Sequence, residues 1–239
     1  MSDVSDVTKV KHNAKFTRNI TDEITWMLNK YRGEGIMRLL DPMGGVGGIF
    51  DTHSADGEWM IDMVEIEHEW AVAATTHPLA DGQTDRVMEA DFLTWLPDAY
   101  WLYDFVVTSP TYGNRMADHH EAKDGSKRNT YRHTLGRELT DGSSAGMQWS
   151  EEYRFFHEKA WLKVWDLLAP GGIFIVNVKD HIRKGVKQPV SAWHRLLLIA
   201  IGFELLESRD MPVRGNRQGR NGDVRVDHEQ IYVFKKPVI

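Results

Sequence analysis

An apolar run at residues 36–40 ends on Asp41 and breaks at once into Pro42-Met43-Gly44-Gly45-Val46-Gly47-Gly48. Glycines at that density, directly after a strand-like run, let the backbone turn tightly and come close to a ligand. A second apolar run, residues 60–65, ends on Glu65, where nucleotide-binding α/β folds commonly read a ribose hydroxyl. A phosphate-cradling lysine motif is missing from the turn, and Phe50 stands where a dinucleotide fingerprint needs its third glycine. The turn therefore points to a nucleotide-like ligand and away from a dinucleotide or a bound triphosphate.

The rest of the chain continues the same alternation. Strands are expected at residues 36–40, 60–65, 86–89, 105–108, 173–178, 203–206 and 230–234, and helices at 21–31, 70–75, 151–168 and 191–201. Ser150, followed by Glu151 and Glu152, reads as a helix N-cap. That helix places Tyr153, Phe156, Ala160, Trp161, Val164 and Leu168 on one face, as core packing requires. Pro170, Gly171 and Gly172 then stop it. The pattern predicts an α/β, Rossmann-like domain with a mainly parallel seven-stranded sheet and helices on both faces. With 239 residues, 41% of them apolar, one domain over residues 1–239 is expected, carrying a basic insertion at about 113–148.

Composition excludes several chemistries. The sequence has 0 cysteines, so it holds no disulfide, no cysteine zinc site and no thiolate nucleophile. His119 and His120 lack metal-ligand spacing, and no metal is expected. The polar first thirteen residues resemble no signal peptide, no apolar run reaches a membrane-spanning length, and a cytoplasmic protein is expected. The formal charge of -6 is unevenly spread: residues 126–137, 179–187 and 212–225 carry +4, +3 and +3, leaving -16 elsewhere. In a doubly wound sheet the last two of these stretches and the glycine turn lie at the same strand ends as residues 109–148, provided the sixth strand is parallel. The three basic stretches would then rim one cleft, as a phosphate backbone would need.

Directly after the fourth strand, residues 108–112 read Thr-Ser-Pro-Thr-Tyr. This resembles the amino-methyltransferases of DNA, whose signature is Asp, Asn or Ser followed by Pro, Pro and an aromatic; here Thr111 replaces the second proline. Residues 12–20, 64–70, 90–92, 167–172 and 228–236 are similar to other segments of that family and in its order, with the cofactor motif first. The whole resembles the stand-alone phage and bacterial methylases of that family.

The resemblance implies S-adenosylmethionine as cofactor. Lys15 and Phe16, then Asp41, Met43, Gly44, Gly45 and Gly47, would hold it, with Glu65 at the ribose, Asp91 and Phe92 at the adenine, and Ser109 beside them. It also implies Ser109, Pro110 and Tyr112 as the catalytic residues. An aryl amine is a poor nucleophile because its lone pair is delocalised into the ring. The Ser109 side chain and the Pro110 carbonyl would accept its hydrogen bonds and direct that lone pair at the methyl carbon, while Tyr112 would stack on a flipped or single-stranded base. Asn114, Arg115, Arg128, Arg132, Arg214, Arg217 and Arg220 are expected to contact the substrate. DNA is the expected partner, with cytosine N4 ahead of adenine N6. An RNA base amine is the alternative, and a module that binds without turnover is the third reading.

Overall fold

The computed structural model describes residues 16–52, 58–98, 101–118, 130–213 and 225–238. Its strands are β1 (Met37–Asp41), β2 (Trp59–Glu65), β3 (Arg86–Glu89), β4 (Tyr103–Thr108), β5 (Leu168–Val178), β6 (His181–Arg183), β7 (Val186–Gln188), β8 (Glu204–Pro212) and β9 (His228–Lys235). The helices are α1 (Arg18–Tyr31), α2 (His68–Thr75), α3 (Tyr131–Leu135), α4 (Glu151–Leu167) and α5 (Val190–Ile201). Seven strands form one sheet in the order β3-β2-β1-β4-β5-β9-β8, and β6 pairs with β7 as a separate hairpin. Neighbours from β3 to β5 run parallel, whereas β9 is antiparallel to both β5 and β8. Strand six of the sheet, β8, therefore runs parallel to the first five.

Successive strand residues go to opposite faces, and both faces are covered. Leu39, Ile61, Phe105, Val107, Ile175 and Val233 join α1 residues Ile20, Ile24, Met27 and Leu28 in one core cluster. Their neighbours Leu40, Val64, Val106, Val176 and Phe234 join Trp161 and Val164 of α4 and Leu198 of α5 in the other. That is why the strands read as continuous apolar runs. In α1 the buried positions recur at helical spacing, so the helix lays one stripe on the sheet. Ser150 caps α4 as expected, its hydroxyl accepting the Tyr153 N–H at 3.3 Å.

Several boundaries differ from those expected of the sequence. Arg18 rather than residue 21 opens α1, and β8 and β9 are longer than expected. Extended backbone begins at Leu168, so Pro170, Gly171 and Gly172 lie inside β5 instead of between helix and strand. Residues 181–188, read as a basic loop, form the β6–β7 hairpin, because strands of three residues are too short to show periodicity.

Residues 113–148, which show no strong periodicity, fold back over the carboxyl ends of the strands where they are described. Arg137 pairs with Glu67 at 2.8 Å and with Glu69 at 2.5 Å, while Thr140 donates to Glu67 through its N–H and its hydroxyl, each at 3.0 Å. Tyr131 packs edge-on against Trp70, ring centroids 5.5 Å apart.

Candidate active site

The carboxyl ends of β1, β2, β4 and β5 and the start of β9 enclose a cavity of about 530 Å³. On the β1–β2 side it is lined by Phe16, Met43, Gly45, Glu65, Asp91 and Phe92. On the β4–β5–β9 side it is lined by Ser109, Pro110, Tyr112, Asn177, Lys179 and Glu229. Ten residues chosen from sequence thus meet in one cleft: Phe16, Met43, Gly45, Glu65, Asp91, Phe92, Ser109, Pro110, Tyr112 and Asn114.

The glycine turn is built around two constraints. A β-carbon at Gly44 would fall 2.0 Å from Cγ of the fully buried Met63, and Gly47 has a φ of 86°. Asp41 lies beneath the turn, 2% exposed, and its Oδ1 accepts the Met43 N–H at 3.1 Å. Glu65 braces the turn from the next strand: Oε2 accepts the Gly45 N–H and Oε1 the Glu67 N–H, both at 2.8 Å. Burial pushes the Glu65 carboxyl up to about 8 and that of Asp41 up to about 7. Once ionised, each Glu65 oxygen keeps a lone pair for a ligand, as a carboxylate oxygen has two. Beyond β3, Asp91 Oδ1 accepts the Leu93 N–H at 2.9 Å while its second oxygen has no hydrogen bond among the described residues, and Phe92 is 4% exposed and stacks on Trp95.

On the opposite side, the turn after β4 is fixed from both flanks. Thr111 donates its hydroxyl to the Ser144 carbonyl at 2.9 Å, and its own carbonyl accepts from the Tyr153 hydroxyl at 2.5 Å. The residue that departs from the family pattern therefore ties the turn after β4 to the segment folded over the cleft. Ser109 Oγ lies 2.9 Å from the Tyr112 hydroxyl oxygen. Tyr112 was expected to present its ring to a base, yet its hydroxyl also joins a polar cluster with Asn177 and Glu229. Asn114 closes a local turn by accepting the Met116 N–H at 2.8 Å. Arg115 opens the short 3-10 turn Arg115–Ala117.

Several expected contacts fall elsewhere. Arg132 does not line the cavity and pairs with Glu138 at 2.7 Å. Arg137 and Lys187, counted among the basic stretches, pair with Glu67 and Asp180, the latter at 3.0 Å. Lys15, Arg128, Arg214, Arg217 and Arg220 lie outside the described residues. Asn177, Asp180, His181, Arg225 and Glu229 line the cavity without having been singled out. Burial and the nearby Arg183 lower His181 to about 4, so it enters the cavity as a neutral ring. Neither of its nitrogens has a hydrogen-bond partner among the described residues.

Comparison with solved structures bears on the architecture. A Listeria monocytogenes protein assigned to the class I S-adenosylmethionine-dependent methyltransferases superposes with a TM-score of 0.57 at 13% identity, over 93% of this chain and 61% of that one. The chain has the class I methyltransferase fold. A Pyrococcus horikoshii protein assigned as an RNA methyltransferase gives a TM-score of 0.60 at 12% identity, over 97% of this chain and 96% of that one. The [4+2]-cyclase SpnF gives 0.55 at 15% identity, over 97% and 86%. The chain spans about three fifths of the Listeria protein. No protein-family model matches the sequence, and no curated protein matches it. Because a cyclase shares this fold, the chemistry has to be read from the site. Among the described residues no helix is long and apolar enough to cross a membrane, and no cluster of potential metal ligands occurs.

Proposed function

We propose that the chain is an S-adenosylmethionine-dependent methyltransferase acting on an exocyclic amine of a nucleic-acid base, in DNA, with cytosine N4 ahead of adenine N6. The observation that carries this reading is one cavity holding both the Glu65-braced glycine turn and the Ser109–Tyr112 turn.

The residues fit the cofactor. Glu65, with spare lone pairs beside the glycine turn, would accept the ribose hydroxyls. Asp91 and Phe92 would hold the adenine, and Met43, Gly45 and Phe16 would flank the remainder. When bound, the cofactor supplies an electrophilic methyl group. The protein's own part is positioning: the Ser109 oxygen and the Pro110 carbonyl accept the two amine hydrogens and hold the nitrogen lone pair towards the cofactor side. No covalent intermediate is called for, in keeping with a chain of 0 cysteines.

The described part of the cationic rim gives this reading less support than the sequence suggested, since Arg132, Arg137 and Lys187 are engaged within the chain. Lys179, which lies 3.8 Å from Glu229, and Arg225 stand at the cavity wall. An RNA base is the second reading, favoured by the end-to-end likeness to the Pyrococcus horikoshii protein. Nucleoside mass spectrometry of DNA and RNA from expressing cells identifies polymer, base and atom together. Neither polymer gaining a methylated amine would end the proposal.

Cofactor affinity should depend on pH through Glu65. Below about 8 the empty site holds this carboxyl protonated, whereas ribose hydroxyls favour the carboxylate. Affinity should therefore rise between pH 6 and 8, by up to about tenfold per pH unit, and level off above. Glu65→Gln should bind about 10- to 100-fold more weakly at pH 8, from the loss of about 1.5–3 kcal/mol of charge-assisted bonding. Its affinity should also change less with pH over that range. Calorimetry that finds the same affinity and slope in both proteins moves the ribose elsewhere.

A further inference from the structure

Glu229, which the sequence does not single out, stands on the cavity wall beside the Ser109–Tyr112 turn. Its side chain is 17% exposed. Oε2 accepts from the Asn177 amide at 2.7 Å and from the Tyr112 hydroxyl at 3.3 Å, while Lys179 Nζ lies 3.8 Å from Oε1. Asn177, 1% exposed, also reaches Tyr112 at 3.2 Å and Ser109 at 3.3 Å through the same nitrogen. Its amide oxygen is buried and has no hydrogen-bond partner among the described residues. The contact to a carboxylate fixes which end of the amide is nitrogen, because two oxygens at 2.7 Å would repel.

Tyr112 has a single hydroxyl proton, and Glu229, which can only accept, draws it across the 3.3 Å contact. Burial and the negative charge of Glu229 push the Tyr112 hydroxyl well above its ordinary value, so that proton stays in place. With the tyrosine proton on that side, the 2.9 Å contact between Ser109 and Tyr112 has Ser109 as donor. With its own proton turned to Tyr112, Ser109 offers lone pairs to Asn177 and to the cavity. An amine N–H needs an acceptor in that orientation, and a serine free to rotate would present it only part of the time.

We propose that Glu229 polarises the Ser109–Tyr112 hydroxyl pair towards itself, so that Ser109 accepts from the target amine and the surplus proton of the reaction leaves to the Glu229 carboxylate. This rests on the proposed transfer of a methyl group from a sulfonium donor to an amine. The nitrogen lone pair forms the new N–C bond while the C–S bond breaks and its electron pair stays on sulfur. The nitrogen then carries the positive charge and two protons. One passes to Ser109 Oγ as the serine's own proton moves to the Tyr112 oxygen and the tyrosine's to Glu229 Oε2. A neutral methylated amine and a neutral carboxylic acid remain, and the acid returns its proton to solvent before the next turnover. The charge that leaves sulfur is thereby cancelled inside the cavity.

The test compares single-turnover methyl transfer in the parental protein, Glu229→Gln, Glu229→Asp, Tyr112→Phe and the Glu229→Gln/Tyr112→Phe double variant, on a substrate found by nucleoside mass spectrometry. Glu229→Gln, which can donate where the carboxylate accepts, should lose about 100-fold in rate, the scale of a lost proton acceptor. Its affinities for cofactor and oligonucleotide should stay within about twofold, a split that general unfolding would not give. Glu229→Asp should recover part of the rate, and the double variant should be no slower than the slower single one, because both lesions cut one relay. Parental rates in Glu229→Gln, or losses that multiply in the double variant, overturn the relay. Should Glu229→Gln lose cofactor binding as well, Glu229→Asp against Tyr112→Phe makes the same comparison: equal losses overturn the proposal, and a smaller loss in Glu229→Asp upholds it. A parental protein that methylates no base removes the functional reading and the relay with it. An active parent with an indifferent Glu229 removes the relay alone.

Discussion

Ser109→Ala should slow methyl transfer by about 100- to 1,000-fold while leaving cofactor affinity almost unchanged, by analogy with the loss of one preorganised hydrogen-bonding group. Ser109 sits where β4 delivers it, on the side of the cavity opposite Glu65, and its contacts run to Tyr112 and Asn177 rather than to the glycine turn. An alanine leaves the amine hydrogen without its acceptor and also breaks the hydroxyl path to Glu229. The Pro110 carbonyl remains, so residual transfer is expected rather than none. Single-turnover rates, with cofactor affinity measured by calorimetry on the same preparations, decide the matter. A parental rate in Ser109→Ala would take the catalytic role away from this turn.

His194→Ala should lower the unfolding free energy by roughly 4 kcal/mol or more, combining a buried cavity with orphaned polar partners. The imidazole is fully buried and completes a chain of hydrogen bonds with one direction. Trp161 Nε1 donates to His194 Nδ1 at 2.9 Å, His194 Nε2 lies 2.9 Å from the Tyr153 oxygen, and Tyr153 donates to the Thr111 carbonyl at 2.5 Å. Because the tyrosine proton goes to Thr111 and the tryptophan can only donate, the histidine proton must sit on Nε2. Without the ring, the Trp161 N–H is left buried and unpaired, and the Tyr153 hydroxyl that holds the turn after β4 loses its support. For a chain of this size the melting temperature should fall by about 8–16 °C. A fall of less than about 3 °C by scanning calorimetry would mean that the chain contributes little to stability.

The same histidine makes the fold acid-sensitive. Burial holds His194 well below its ordinary value and lowers His157 to about 3, so both are neutral in the folded protein. The unfolded chain protonates them once pH drops below about 6.5, so it binds more protons than the folded one. Stability is therefore full above that pH and falls below it, by up to about 1.4 kcal/mol per pH unit for each ring. Denaturant titrations between pH 7 and 5 should show this slope, and it should shrink in His194→Ala.

The glycine turn, Glu65 and the Ser109–Tyr112 turn were legible because each follows a strand whose apolar run announces it. Parallel neighbours then bring the ends of those strands to one edge. The basic stretches were legible only as composition. Arg137 and Arg132 look alike in sequence to cations that bind a partner, but Glu67, Glu69 and Glu138 reach them once the segment folds back. His157 and His194 read as ordinary polar positions in helices, since the sequence does not say which face of α5 meets Tyr153.

By itself, then, the sequence determined the alternation of covered strands and helices, the ligand-facing turns and the absence of thiol chemistry, all of which rest on residues near one another in the chain. The tertiary structure alone decided the partners of Ser109. Asn177 lies 68 residues from it and Glu229 lies 52 residues beyond Asn177. They meet because β9 enters the sheet antiparallel between β5 and β8, pairing Val178 with Gln230 and Asn177 with Ile231. A parallel last strand would have carried its start, and Glu229 with it, to the opposite edge of the sheet. The reversal places that carboxylate at the carboxyl end of β5, beside the hydroxyl it orients.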